Sequence, residues 1–438
     1  MSHPQYIANA QALQEILAGV VNEANQECQF SQRKRACDAQ TFVAILVLGW
    51  LEKPGASIAQ LVQMAGQMGC HITKQGLDQR IDQHAVMFLA YVLAESMRRL
   101  RLNQPLLIPA LKQLKGVYIT DSTQIRLPDS LLAAFAGNQA GYAVVKWQVT
   151  FEYLSGTLVA LEWGDGKSPD QKCSLPVVWA QAGSLQLFDL GYFKQERLAD
   201  IAKAEAYFVS RYQSQTALYE PQTGEQLVLA RLLTSSSGCQ VTCNGLLGRK
   251  TRLPVRLVAR RLSEKEAAER RRQAKKKARE QKKACTKDYL ALLGWVILVT
   301  NLPEDAYPAA LIFELYGVRW QIELIFKTWK SRLHIAQIGA WRATRVLCQL
   351  YALLIACVLC HQWTSAYRWG EQGEFSVTQM IQTLQAYIPD MRRCIARHWR
   401  GIRQLFKQIE EDFRRFSHKG KRKKSPSTLQ TLMNWGLS

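Results

Sequence analysis

Apolar residues in the first hundred positions recur at helical spacing between short polar turns. Phe42–Leu51 is an almost unbroken apolar run, and Val346–Cys360 is a second, interrupted by Gln349. Both read as buried core helices, short of the ~20 residues that a membrane span needs. Ser57 opens the stretch SIAQLVQMAG, which ends at Gly66, and Thr73 opens TKQGLDQRI. Each opening hydroxyl can accept from the first free amides of a helix. Two capped helices around a Gly-bearing turn fit a helix-turn-helix, and equally a plain helical hairpin.

From Lys115 the apolar runs shorten to strand length. Gly116–Thr120 ends at Asp121, and Ala143–Leu154 with Thr157–Trp163 predicts a hairpin turning at Ser155-Gly156. Ser184–Phe188 is a predicted strand ending at Asp189, Phe193–Ala204 a helix, and Tyr207–Ser210 a further strand. This order implies a mixed α/β sheet covered by helices. Between 214 and 300, strand-like pieces (Glu225–Ala230, Pro254–Ala259, Trp295–Thr300) accompany the basic segment Arg260–Lys283, whose composition favours a helix. After Pro303 helices return, Val377–Tyr387 and Arg392–Phe416 among them. The basic tail around Lys419–Lys424 is expected to be disordered.

Charge narrows the partners. The 438 residues carry a formal net charge of +22 and are 48% hydrophobic. A large core is affordable, and a polyanion, nucleic acid first, is the expected partner. No lipidation motif favours a membrane surface. Met1–Ala18 lacks a basic start followed by an apolar block, so a cytoplasmic protein is expected. The eleven cysteines then read as reduced thiols. Cys357-x2-Cys360-His361 and Cys239-x3-Cys243 lack a second ligand pair at zinc-finger spacing, so zinc is not expected.

The stretch Leu311–Leu333, LIFELYGVRWQIELIFKTWKSRL, carries the chemistry. At about 100° per residue, Tyr316, Arg319, Glu323, Lys327 and Lys330 project within a sector of roughly 80°, opposite Leu315, Ile322, Ile325 and Trp329. One carboxylate among three cations and a phenol suits a metal ligand beside a phosphodiester. It also suits a solvated face with a Glu323–Lys327 pair worth ~0.3–0.5 kcal/mol.

Tyr316-x2-Arg319-x3-Glu323-x6-Lys330 resembles the Y-R-E-K signature of a bacterial family of insertion-sequence DDE transposases, which cut and rejoin DNA. Asp121 in VYITDST and Asp189 in DLGYF stand where the family's two aspartates stand, and the 134 residues from Asp189 to Glu323 leave room for its β-rich insertion. The likeness spans roughly residues 115–335. It implies a ribonuclease H-like core at 111–213 and 301–340, with the insertion and basic helix at 214–300. Residues 1–110 would form an N-terminal helical region for DNA-end recognition, and 341–438 a C-terminal helical region with a basic tail.

The resemblance further implies that Asp121, Asp189 and Glu323 are the catalytic residues and hold two Mg²⁺ ions, for which Mn²⁺ can substitute. Tyr316, Arg319, Lys330 and Arg211 would contact DNA phosphates, and Lys327 joins them by its place on the same helix face. Trp295, 21 residues before Tyr316, would stack on a flipped base, the alternative being a Trp packed under the sheet. Arg211 would reach the scissile phosphate or remain a surface residue. The implied partners are the double-stranded DNA of transposon ends and target, and a second copy of the chain. A ribonuclease H-like nuclease or resolvase and an inactive DNA-binding protein remain alternatives. Strand transfer separates the first from a transposase; metal binding bears on the second.

Overall fold

The computed structural model describes residues 5–31, 37–100, 107–137, 141–339, 342–365, 367, 375–419, 426 and 428–435. Ten strands form one sheet in the order β3-β2-β1-β4-β5-β10-β9-β8-β6-β7. The first five are β1 (Val117–Leu127), β2 (Ala143–Glu152), β3 (Thr157–Asp165), β4 (Leu185–Phe188) and β5 (Tyr207–Arg211). β1, β2 and β3 run as an antiparallel meander, while β4 pairs parallel with both β1 and β5. This is the ribonuclease H-like arrangement the resemblance implies. Gly156, at φ 66, makes the predicted turn between β2 and β3.

The insertion extends the same sheet. Its strands are β6 (Leu218–Tyr219), β7 (Gln226–Leu227), β8 (Gln240–Leu247), β9 (Leu253–Arg261) and β10 (Trp295–Thr300), with β10 antiparallel to β5. The basic segment forms helix Glu264–Glu280, capped by a reciprocal Ser263–Glu266 box.

Several boundaries differ from the sequence expectation. β1 does not end at Asp121 but runs six residues further, because Ser122–Leu127 pairs residue by residue with β2. The expected strand Glu225–Ala230 yields the short β7 and then helix Leu229–Ser235, whose Leu229, Ala230 and Leu233 are buried. Arg260 and Arg261 belong to β9 and not to the basic helix. Arg392–Phe416 is two helices, Ile388–Ala396 and Ile402–Phe416, parted where His398, Trp399 and Gly401 take positive φ.

One core cluster joins the sheet to the N-terminal and C-terminal helices. Helix Ala343–Ser365 packs against Ala39–Glu52 and Gln83–Arg99 at its centre. It has 23 residues, so the expectation that this run falls short of a membrane span is corrected on length. Its most apolar window is 72% buried inside the protein, as in a core helix. A second cluster covers the other sheet face under helix Gln195–Lys203 and the insertion. Ser57 and Thr73 cap helices Ile58–Gln67 and Lys74–Arg80 as expected. Asp78 of the second is bridged by Arg342 and Arg345, which ties that hairpin to the central helix. Of the basic tail, residues 420–424 lie outside the described residues.

Candidate active site

The parallel pairing of β1 and β4 aligns Thr120 with Phe188, so the next residue on each strand, Asp121 and Asp189, lies at the same end of the sheet. Asp121 is held in mid-strand by its β2 pairing with Val149. Asp189 precedes the one-turn helix Leu190–Tyr192. Helix Ala309–Val318 brings Tyr316 over this edge, and helix Trp320–Ser331 brings Glu323. The continuous helix expected from the sequence is interrupted at Arg319. There Arg319 N–H donates to Tyr316 O and Ile322 N–H to Arg319 O, three-residue bonds in place of four-residue ones. Buried Leu315, Ile322, Ile325 and Trp329 fix both pieces against the sheet.

Arg319 joins the acidic residues. One guanidinium nitrogen donates to Asp121 Oδ2 at 3.0 Å and the other to Glu323 Oε1. The Tyr316 hydroxyl donates to Asp189 Oδ1 at 3.4 Å. The Arg319, Asp121 and Glu323 side chains are 14%, 17% and 30% exposed, a half-buried site open on one side. Arg319 Nε is buried with no hydrogen-bond partner among the described residues, leaving a donor unused.

The electrostatics show how closely these groups are gathered. Burial pushes the Asp121 carboxyl up to about 6, and the charges of Asp189 and Glu323 add to it. The Ser122 amide, donating at 2.8 Å, and Arg319 pull the other way. Burial pushes the Tyr316 hydroxyl up to about 12, so it remains a proton donor. Burial depresses the Arg319 guanidinium, but Tyr316 and the three carboxylates more than reverse this. Three carboxylates thus share the field of one cation, an arrangement that unassisted repulsion opposes.

The other predicted residues are distributed around this centre. Arg211 ends β5, exposed, paired in register with Leu298 of β10, and its charge reaches Tyr316. Lys327 and Lys330 are exposed on the glutamate helix, with no side-chain hydrogen bond or ion pair among the described residues. Trp295 opens β10, 7% exposed, within the second core cluster and under the Arg261 guanidinium at 4.7 Å. It is packed in the sheet, and stacking on a base would first require Arg261 to leave. Cys357 and Cys360 are fully buried, and His361 bonds Gly156 O.

One layer behind the site is not marked by any motif in the sequence. Asp170 accepts from Lys146 Nζ at 3.1 Å and from Gln148 Nε2 at 2.8 Å, and the buried Tyr192 hydroxyl donates to Gln148 Oε1. A Cβ on Gly191 would come within 3.2 Å of Asp170 Oδ2, so the glycine after Asp189-Leu190 lets this network close. The only sequence signal was Gly191-Tyr192 beside Asp189.

A divalent metal is implied by the resemblance. Among the described residues no group of three His, Cys, Asp or Glu side chains is drawn tightly enough to hold an ion. The donors are nevertheless hard carboxylate oxygens gathered about a positive charge, the chemistry that Mg²⁺ and Mn²⁺ select. They fit such an ion once Arg319 releases Asp121 and Glu323.

Residues 112–359 match the family model described as Transposase DDE domain, more than half of the chain. The chain is 27% identical to the transposase for insertion sequence element IS231B of Bacillus thuringiensis subsp. berliner, covering 92% of this chain and 90% of that protein. It is 29% identical to the IS231D transposase of Bacillus thuringiensis subsp. finitimus, covering 83% and 82%. With the IS1151 transposase of Clostridium perfringens the identity is 24%, covering 94% and 93%. Among solved structures, piggyBac transposase in a synaptic complex with hairpin DNA aligns with a TM-score of 0.47 at 8% identity, over 96% of this chain and 87% of that one. With a signature face on two helices, two aspartates on adjacent strands and this family match, the chain belongs to the DDE transposases.

Proposed function

We propose that this chain is a DNA transposase that cleaves DNA at transposon ends and transfers the cut strand into target DNA, in a cut-and-paste cycle. The observation that carries the proposal is the single guanidinium shared by Asp121 and Glu323, 202 residues apart, with Tyr316 on Asp189 beside it. Asp121, Asp189 and Glu323 would hold Mg²⁺, with two ions as the reading and Mn²⁺ able to substitute. When bound, such ions supply Lewis acidity and an activated water or 3′-hydroxyl.

The chain's own residues do the rest. Arg319 has an unused Nε donor and, freed from its carboxylates, three nitrogens for a phosphate. Tyr316, protonated over the working pH range, donates a hydrogen bond without adding charge. Lys330, Lys327 and Arg211 are proposed as further phosphate contacts. Trp295 is proposed as a base-stacking residue only if Arg261 swings aside. Residues 1–110 are proposed to recognise the ends. Pairing of two ends calls for a homodimer on DNA, and the basic helix and tail supply sequence-independent backbone contacts.

The test is strand transfer by the full chain, with Mg²⁺ and DNA carrying the element's own ends. Joined products are expected from the wild type and none from Glu323→Gln. Nicks without joining would make the protein a nuclease of the same fold and overturn the proposal.

A further inference from the structure

The basic helix Glu264–Glu280 is not a uniformly solvated charge run. Its packed face is Ala267, Arg270 and Arg271, at the i, i+3, i+4 spacing of one helix side. Ala267 is 2% exposed. Arg270 donates to Trp295 O at 3.3 Å, and Arg271 to Leu290 O at 3.2 Å. Arg270 is thereby drawn off the solvent face and pinned to the first residue of β10.

β10 is also where two other arginines converge. On one side Arg211 of β5 pairs with Leu298, and on the other Arg260 of β9 pairs with Val296. Cross-strand partners share a face, so Arg211 and Arg260 stand with Val296 and Leu298 on the face covered by Tyr316's helix. Arg260 lies 4.4 Å over the Phe313 ring of that helix. Arg211 and Arg260 are both exposed.

Arg270 lies within the field of Arg211. Burial first, and then the charge of Arg211, hold the Arg270 guanidinium below its usual range, with Glu266 opposing. Glu266 is itself engaged by the Ser263 hydroxyl and amide, with Arg270 and Arg260 contributing after them. Arg270 and Arg260 therefore share one already committed carboxylate, and Arg211 acts on Arg270 and on Tyr316, the residue that contacts Asp189. Like charges brought together at the rim of a site are stabilised by an anion from outside, and guanidinium forks match phosphate oxygens.

We propose that Arg211, Arg260 and Arg270 form a second phosphate site, separate from the Tyr316–Arg319–Lys330 face, that seats a backbone phosphate of DNA beside the catalytic carboxylates. It rests on the reading that the chain handles DNA. Arg270 is the distinctive member, because the sequence presents it as one cation among many in RRRQAKKKAR.

The experiment measures binding of the full chain to two 30-bp duplexes of unrelated sequence, by fluorescence anisotropy across a salt series. Arg270→Gln is expected to lower the slope of log K against log[salt] by about 1 on both duplexes, the loss of one phosphate contact. Arg270→Lys should keep the slope. Lys203→Gln, which removes an exposed cation paired with Asp200 on helix Gln195–Lys203, away from the basic helix, should leave it within about 0.3 of wild type, a smaller change than one full contact. An unchanged slope for Arg270→Gln, or an equal fall for Lys203→Gln, would overturn this site while the transposase reading stands. No DNA binding by the wild type would overturn both.

Discussion

Asp121→Asn should make the metal-free protein more stable, and only above the pH at which Asp121 ionises. Asparagine keeps the size of the side chain and can still accept from Arg319, but removes the charge. Burial, Asp189 and Glu323 together put the folded carboxyl at about 6, against an ordinary aspartate near 3.9. A shift of about two pH units corresponds to about 3 kcal/mol of strain on the ionised form. The raised value means that the folded chain holds this proton more tightly than the unfolded chain. Below about pH 4 both states are protonated and the two proteins should match. As pH rises through 6 the wild type loses the full amount, and the variant does not. At pH 8 in EDTA, the melting temperature of Asp121→Asn should exceed that of wild type by several degrees, the gap vanishing near pH 4. Saturating Mg²⁺ should close it from the other side, since an ion at 100 times its Kd adds about 2.7 kcal/mol to the protein that binds it. A variant no more stable at pH 8, or a gap of equal size at both pH values, would refute the argument that burial, with Asp189 and Glu323 beside it, strains the ionised Asp121.

Arg319→Gln should tighten Mn²⁺ binding at pH 8 by tenfold or more, because charge-assisted hydrogen bonds of about 1.5–3 kcal/mol no longer compete for Asp121 and Glu323; titration calorimetry reads this, and an unchanged Kd would count against it. Strand transfer should be lost in the same variant, since the proposed hydrogen-bond donor to phosphate is removed with the competitor. Ile322→Ala, at a side chain with no exposure beneath the glutamate helix, should cost about 2–5 kcal/mol in urea denaturation and lower strand-transfer activity at temperatures where the fold survives. A loss of stability below about 1 kcal/mol would mean that the helix is not seated by this contact.

The parts of the fold that could be read from the chain are those where one local pattern fixes the outcome. The β2–β3 turn at Gly156, the caps at Ser57 and Thr73, and β10 at Trp295–Thr300 lie where the sequence places them. Tyr316, Arg319 and Glu323 fall on one face because three and seven residues each bring a helix back to nearly the same side. What escaped reading depends on partners remote in sequence. The continuation of β1 past Asp121 is dictated by β2, across a segment whose own pattern is mixed. β8 is mostly exposed or half-buried, so it carries no strong apolar signature, and only its pairing with β9 makes it a strand. Asp170 gains its place from Lys146 and Gln148 of β2, which sequence spacing does not relate to it. Trp295 was correctly placed on its strand, but whether its ring faced a ligand or the core turned on Arg261 of the adjacent strand.

The pairing of β10 with β5 makes the insertion an extension of the sheet that carries Asp121 and leads into Asp189, and not a hinged flap. Two strand spacings, about 10 Å, lie between β4, which leads into Asp189, and β10. If a DNA backbone is seated on the insertion side as proposed, it would be measured off from Asp189 by a hydrogen-bonded gauge of fixed length. DNA slipping by a nucleotide would then have to break its seat, because hydrogen-bonded strands do not stretch to follow it.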